Sequence, residues 1–396
     1  MKGKRIDLLF DNAFALLLFF LPISQAVPNI ILLILVLLFI FKKSKQQLNT
    51  PILIFCLLVF YLFIKSVFFG SFISGIHLYK QLGLLLAVGV LIQNVSKINN
   101  LLNGFLLGVL AAIIISCWNI FYFYFKHGIL PLGNTTEASD LLIIHRPYFG
   151  FICFLSIVLV SKLLETTSGK KIRIGYFIFS GILTLFAFFI VARLSIGLIV
   201  LFVFYKLITT FKKSKLKIAI SLALSIGVIC VLLFTSENIK KRFHIQNSIN
   251  KTIAVVKNQE PRFVIWKCVI NQINTPGFNL IFGNANINST QSKLTNCFEE
   301  IVTNKSKKEY YLRTKFNTHN QFFDLFLQGG LIALLLLLGL FSMLLYNDKF
   351  KSTYWVIVVG FFAFAFLENI FHRQLGVYLF GIFIFLNDKG LLLAEK

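Results

Sequence analysis

His319 is the residue best placed to act as a base. It sits in Asn317-Thr318-His319-Asn320-Gln321, where a long polar segment gives way to an apolar run. Thr318 followed three residues on by Gln321 has capping-box spacing, which predicts a helix starting at Thr318 with His319 in its first turn. The partial positive charge of a helix start disfavours imidazolium and keeps such a ring neutral, as a general base requires. The free N–H groups of the same turn can receive an anion. The plainer reading is an interfacial histidine that only marks the helix start. Other polar residues also stand at the ends of apolar runs: Arg146, Arg193, Asp324, Glu368, His372 and Arg373. Arg262 and Trp266 lie in the polar segment itself. A guanidinium is always ionised and can grip two phosphate oxygens at once. Arginines plus a neutral histidine suit a transfer in which a phosphate leaves as an anion and a hydroxyl attacks.

The elements that must position these residues are membrane helices. The chain has 396 residues, is 57% hydrophobic and has a mean hydropathy of +0.82, which excludes a soluble domain. Apolar runs of spanning or near-spanning length fall near 9–26, 28–41, 51–69, 76–92, 99–125, 147–164, 172–192, 194–210, 216–234, 322–346, 354–371 and 374–390. The expected fold is therefore an all-α integral membrane protein of about twelve transmembrane helices. Lys2, Lys4 and Arg5 precede the first run as in a signal peptide, but a second run follows at once, so an uncleaved first helix is expected.

The net charge of +24 does not point to nucleic acid, because the basic residues sit in short clusters between apolar runs. Lys42, Lys43 and Lys45, then Lys162 to Arg173, Lys212 to Lys217, and Lys349 with Lys351 all follow even-numbered runs. With both termini cytoplasmic, every cluster is cytoplasmic, and residues 235–318 form one large loop on the outer face. The chain divides accordingly into helices 1–9 (1–234), the loop (235–318) and helices 10–12 (319–396). The polar residues named above all fall on the outer side. Charges near lipid are costly and are usually kept for function, although snorkelling and structural pairing compete for Glu368 and Arg373.

Within the loop, Glu237–Val256 reads as a basic amphipathic helix and Pro261–Ile273 as a second, with Arg262, Trp266, Val269 and Ile273 on one face. Asn274-Thr275-Pro276-Gly277 ends it, and Asn284–Lys315 reads as polar and partly mobile. Cys56, Cys117, Cys153 and Cys230 read as small buried hydrophobes. For Cys268 and Cys297, an oxidising compartment permits a bridge, and plain packing of Cys268 competes. No CxxC or HExxH occurs, so neither metal nor cofactor is signalled.

No nucleotide supply exists on the outer face, and the chain has no P-loop and no paired DxD acids. An enzyme there needs a pre-activated substrate that arrives through the membrane. A polyprenyl diphosphate-linked glycan is such a donor, its diphosphate being both activator and leaving group. Arg262, with Arg146 or Arg193 as second contacts, would bind that diphosphate. His319 would take the acceptor's proton, and Asn320 or Asp324 would orient acceptor or imidazole.

The second half of the chain resembles the O-antigen ligase and polymerase family of bacterial surface-polysaccharide enzymes. The resemblance rests on His319-Asn320-x-x-x-x-Leu325-x-x-x-x-Gly330-Leu331 after the large loop, and on Arg262-x-x-x-Trp266 followed by Leu280-Ile281-Phe282-Gly283. It rests also on Glu368-Asn369 with Arg373-Gln374-x-Gly376-Val377, and more loosely on His145-Arg146-Pro147-Tyr148. Ala333 and Asn284-Ala285 depart from glycines common in the family. The resemblance implies a metal-independent inverting glycosyl transfer on the periplasmic face of the bacterial inner membrane. The implied partners are an undecaprenyl diphosphate-linked glycan donor, a lipid A-core or glycan acceptor, and membrane lipids. The Glu368–Val377 match favours the ligase; a polymerase or a protein glycosyltransferase of the same family is the alternative. From another class, a flippase for lipid-linked glycans competes, but flippases place charges near the bilayer midplane and repeat their halves, and no repeat is found here.

Overall fold

The computed structural model describes residues 2–42, 48–129, 140–210, 260–347 and 353–386, with isolated positions at 248, 250, 251 and 255. The apolar run 216–234, all but four positions of the expected Glu237–Val256 helix, and the basic clusters at 212–217 and 349–351 lie outside the described residues.

Among the described residues the secondary structure is helical: α1 Lys2–Phe20, α2 Val27–Phe41, α3 Thr50–Phe68, α4 Ile76–Ile92, α5 Ile98–His127, α6 Arg146–Thr166, α7 Lys170–Phe189, α8 Arg193–Thr210, α9 Pro261–Ile273, α10 Ile287–Ile301, α11 Lys305–Thr314, α12 Gln321–Asn347, α13 Thr353–Leu367 and α14 Gln374–Phe385. Six of them, α3, α5, α6, α7, α8 and α12, are long and apolar enough to cross a membrane, and α2, α4, α13 and α14 are shorter apolar helices. The chain is a multi-pass membrane protein.

α1 packs most closely on α5, and two further groups set the interior beneath the site. α6 lies against α7, α8 and α13, and α14 lies against α4. α6 is buried along most of its length, so it is surrounded by protein rather than lipid. Its Phe151 stacks flat on Phe364 of α13 at 4.2 Å between centroids and meets Phe361 edge-on. α7 instead exposes Ile174, Phe177, Ile178 and Leu185, an apolar face consistent with lipid contact.

Successive helices run back and forth, so one end of the bundle collects the turns α1–α2, α3–α4, α7–α8 and α13–α14 with the starts of α6 and α12. Contacts between distant segments hold this end together. Gln374 donates to the Gln25 carbonyl, Ser74 to Asn286, and Arg193 to Glu260. The division at Ala192-Arg193 holds: α7 ends at Phe189 and α8 starts at Arg193. The turn between them carries Val191 at φ 52°, a left-handed conformation that strains a β-branched residue. Gly150 makes room for it, since a Cβ there would lie 2.3 Å from the Ala192 methyl.

The outer segment folds more than its composition suggests. Asn284–Lys315, read as partly mobile, forms α10 and α11. Leu294, Phe298 and Tyr311 from these helices pack on Ile265, Cys268 and Val269 of α9 and Leu327 of α12. Leu294, Cys297, Phe298 and Ile301 have helical spacing, a stripe hidden among Asn, Ser and Lys. Cys268 and Cys297 form a disulfide, tying α9 to α10. On α9 the buried face is Ile265, Cys268, Val269 and Gln272. The expected stripe of Arg262, Trp266, Val269 and Ile273 is therefore rotated, and Arg262 and Trp266 flank the packed face rather than belong to it.

α12 is not one straight helix. It breaks at Gly330, whose φ of 62° and ψ of −160° are open only to glycine. The strand of chain 280–284 docks into the break. Leu331 N–H donates to the Leu280 carbonyl and Asn284 N–H to the Leu327 carbonyl, both at 2.8 Å. A Cβ at Gly330 would sit 2.1 Å from the Ile281 carbonyl oxygen, and one at Gly283 2.6 Å from that of Leu327. Lys65 of α3 donates to the Asn284 and Gln328 carbonyls, and Tyr61 to that of Gly329. The broken helix thus has its freed backbone groups satisfied by the loop and by α3.

Candidate active site

Arg262 is held from three sides. Its Nη1 bonds Glu260 Oε1 and its Nη2 bonds Glu368 Oε1, both at 2.8 Å, while Nε donates to the Leu367 carbonyl at 3.3 Å. Glu260 stands just before Pro261, which occupies the first position of α9 as expected. Glu368 follows the last turn of α13. Glu260 also takes a bond from Arg193 Nη2 at 2.6 Å, so one carboxylate joins two arginines. Five N–H groups belong to a guanidinium, and these contacts engage three on Arg262. A bound anion can use the others without breaking the clamp.

Beside these groups is a cavity of about 440 Å³. Arg146, Arg193 and Arg262 line it, together with Glu260, Glu368 and Trp266. Arg146 is buried at the start of α6, and Arg193 is fixed by the strained turn at Val191. Three guanidinium charges against two carboxylates leave the wall cationic. Apolar surface behind them lowers the local dielectric and strengthens their pull on an anion.

His319 lies next to this clamp but not where capping-box spacing put it. α12 starts at Gln321, and its N-cap is Asn320, whose Oδ1 accepts from the N–H groups of Phe322 and Phe323 at 2.9 and 3.0 Å. Thr318 turns away to bond Asn369, and the Gln321 side chain accepts from Phe371 N–H. His319 therefore precedes the helix, with φ at 46°. The shift follows from tertiary bonds: Asn369 Oδ1 takes the Asn320 N–H at 2.6 Å, fixing Asn320 as the cap. Trp266 Nε1 donates to the Thr318 carbonyl at 3.1 Å, so α9 also steadies the histidine's loop.

The Nδ1 of His319 is buried, has no hydrogen-bond partner among the described residues, and lies 3.6 Å from Glu368 Oε2. Glu368 is thus a bridge, one oxygen on Arg262 and the other facing His319. Burial alone would raise the Glu368 pKa, but His319, Arg262 and His145 together hold it below the ordinary glutamate value. The carboxylate stays ionised between the base and the clamp.

The remaining expected site residues divide. Asn320 is spent on capping, and Asp324 does not reach His319: it pairs with His372, Oδ2 to Nε2 at 2.8 Å. Burial pulls the His372 pKa down, but the Asp324 charge and bond outweigh it and raise it. Arg373 is absent from the lining of the arginine cavity and sits 5.7 Å over the Tyr148 ring. There it borders a second cavity of about 370 Å³ with His77, Gln81, His145, His372 and Gln374. Burial and the nearby Arg373 charge push His145 down to about 4. Glu260 and His77 belong to the site region without having been expected there, and His145, noted only in the loose His145–Tyr148 match, had no role assigned. Glu260 and His145 each directly precede a Pro-Arg or Arg-Pro helix start, a signal that was legible. His77 carries no such signal. Among the described residues no group of three or more His, Cys, Asp or Glu side chains is placed to hold a metal ion.

Residues 178–338 match the model of a protein family described as O-antigen ligase. The match spans Arg193, Arg262, Trp266, His319, Asn320 and Asp324, and leaves Arg146, Glu368 and Arg373 outside it. No curated protein matches the chain.

Proposed function

We propose that this chain, which belongs to the O-antigen ligase family through residues 178–338, is a membrane glycosyltransferase that moves a glycan from undecaprenyl diphosphate to a lipid A-core hydroxyl on the periplasmic face. One observation carries the reading: three arginines converge on one cavity lined by buried Glu368, whose other oxygen faces the half-buried His319. In the reaction the bond from the sugar's anomeric carbon to the diphosphate oxygen breaks, and its electrons stay on that oxygen. The acceptor oxygen bonds the anomeric carbon and its proton passes to His319. Arg262, Arg193 and Arg146 neutralise the charge growing on the diphosphate. Glu368, between Arg262 and His319, stabilises the imidazolium as it forms. Asp324 and Asn320 support the start of α12 instead of touching substrate. The Glu368–Val377 turn favours the ligase over a polymerase.

The test is transfer by the purified protein in lipid nanodiscs, supplied with lipid-linked glycan and acceptor. Release of undecaprenyl diphosphate with glycan on lipid A-core is the expected result. His319→Gln lowers turnover about 10²–10⁴-fold while donor binding stays, because only the base is lost. Arg262→Lys fails as well, since an ammonium does not replace a two-pronged donor. Wild-type rates in a normally inserted His319→Gln protein would reject the base. Movement of lipid-linked glycan without diphosphate release would make the protein a flippase. Joining of one lipid-linked glycan to another would make it a polymerase.

A further inference from the structure

The second cavity is separate in chemistry from the arginine cavity and shares no lining residue with it, yet two of the same segments line both. The start of α6 is the wall between them: Arg146 and Pro147 face the arginine side, His145 and Tyr148 the other. The turn after α13 is divided likewise, with Leu367 and Glu368 on one side and His372 to Leu375 on the other. The arginine cavity offers fixed positive charge. The second cavity offers mostly neutral groups that both donate and accept: Gln25, Gln81, Gln374 and the imidazoles of His77 and His145. Arg373 is its fixed cation, lying over Tyr148, and the His372–Asp324 pair borders it. The Nδ1 of His145 is a buried nitrogen with no hydrogen-bond partner among the described residues. An orphaned buried nitrogen is costly unless something bonds it.

Such a lining suits a polyhydroxylated ring, whose hydroxyls need paired donors and acceptors at close range rather than net charge. Position agrees with chemistry. An inverting displacement brings the attacking oxygen in from the side away from the leaving group. With the diphosphate on the arginine side of Glu368, the open polar space on the far side is the second cavity.

We infer that the second cavity, between the α1–α2 turn, the start of α4 and the α13–α14 turn, binds the sugar of the glycan acceptor, with His145 Nδ1 bonding one of its hydroxyls. The assignment rests on the transferase reading above. His145 is kept neutral by burial and by Arg373, so its free nitrogen can meet a hydroxyl without introducing a charge. It orients the acceptor, and His319 takes the proton. Specificity for one acceptor over another then resides in Gln25, His77, Gln81 and Gln374, which come from the α1–α2 turn, the first part of α4 and the start of α14.

The experiment measures transfer in nanodiscs with donor and acceptor varied independently, alongside direct binding of undecaprenyl diphosphate. Gln81→Leu and His77→Phe each raise the acceptor KM about three- to tenfold, the worth of one or two hydrogen bonds, and leave undecaprenyl diphosphate affinity unchanged. Gln25→Trp, on an exposed turn position that does not threaten folding, blocks the mouth and does the same. His145→Gln, which restores a neutral acceptor, retains more turnover than His145→Phe. An unchanged acceptor KM in all three mouth and wall variants overturns the assignment. So does a loss of diphosphate affinity, which would make this the donor's cavity. Failure of the unmodified protein to transfer any glycan rejects the transferase reading itself, an outcome distinct from either.

Discussion

The two ends of the helix bundle hold their charges in opposite ways. At the end away from the site, carboxylates stand in the open: Asp7 and Glu165 have side chains 45% and 50% exposed where they meet Lys42, Lys162 and Lys206. At the site end, Glu368, Asp324 and Glu260 are 5%, 4% and 13% exposed, each tied to an arginine or a histidine. The exception proves instructive: Asp11, buried at the opposite end, bonds the Ser96 and Lys97 N–H groups and so caps a turn. Exposed pairs contribute little, whereas a buried charge must keep its partner. The lesson is that charge at the opposite end stands largely in the open, while charge at the site end is a mutually dependent set in which each buried carboxylate keeps its partner.

The largest effect expected from breaking this contrast is at Arg262. Arg262→Ala leaves buried Glu368 without its arginine, Glu260 retaining Arg193, and destabilises the protein by roughly 3–5 kcal/mol. Thermal unfolding in detergent, followed by loss of the monodisperse species, measures it. Adding Glu368→Gln to Arg262→Met removes both charges and recovers much of the stability but none of the transfer. Equal loss in the single and double variants would show that the pair is not a coupled unit.

A graded effect is expected with pH. His145, with a folded pKa near 4, takes up protons more readily when unfolded, so stability falls as pH drops from about 6.5 toward 4. His372, raised by Asp324, contributes stability that is complete below about pH 6.5 and lost as pH rises through its folded value. Melting temperature therefore peaks near pH 6.5. His145→Gln flattens the acid limb and His372→Gln the alkaline limb. A peak that ignores both substitutions removes these histidines from the account.

The smallest effect is expected at Lys206. Its bond to the half-exposed Glu165 is worth about 0–1 kcal/mol, so Lys206→Ala leaves the melting temperature nearly unchanged. A loss comparable to that of Arg262→Ala would erase the distinction between the two ends.

Much of the membrane architecture was legible because lipid imposes a simple rule: long apolar runs with charges at their ends. The break between α7 and α8 was readable from run length and Arg193. The start of α12 was misread because Thr318 and Asn320 both have capping chemistry, and the choice was made by Asn369, forty-nine residues from Asn320. α10 was missed because its apolar stripe is only four residues wide in a polar stretch. Arg262 and His319 were legible as chemistry, but their shared partner Glu368 was not legible as a bridge. The second cavity was beyond reach, since its walls come from turns and helix ends that only packing brings together. The break in α12 was not anticipated: 322–346 reads as one apolar run, and nothing local says that residues 280–284 dock at Gly330.

That filled break has a consequence for how the protein changes over generations. Gly283 and Gly330 face each other across one contact, each leaving no space for a methyl group on the other's side. Neither can drift alone, and no larger residue at one can be accommodated by a smaller one at the other, because both are already at the minimum. The two positions should thus be inherited as a single character, lost or kept together with Lys65, whose charge binds the neighbouring Asn284 and Gln328 carbonyls. A lineage that gave up this seam would have to redesign the outer loop and the helix beneath it in one step.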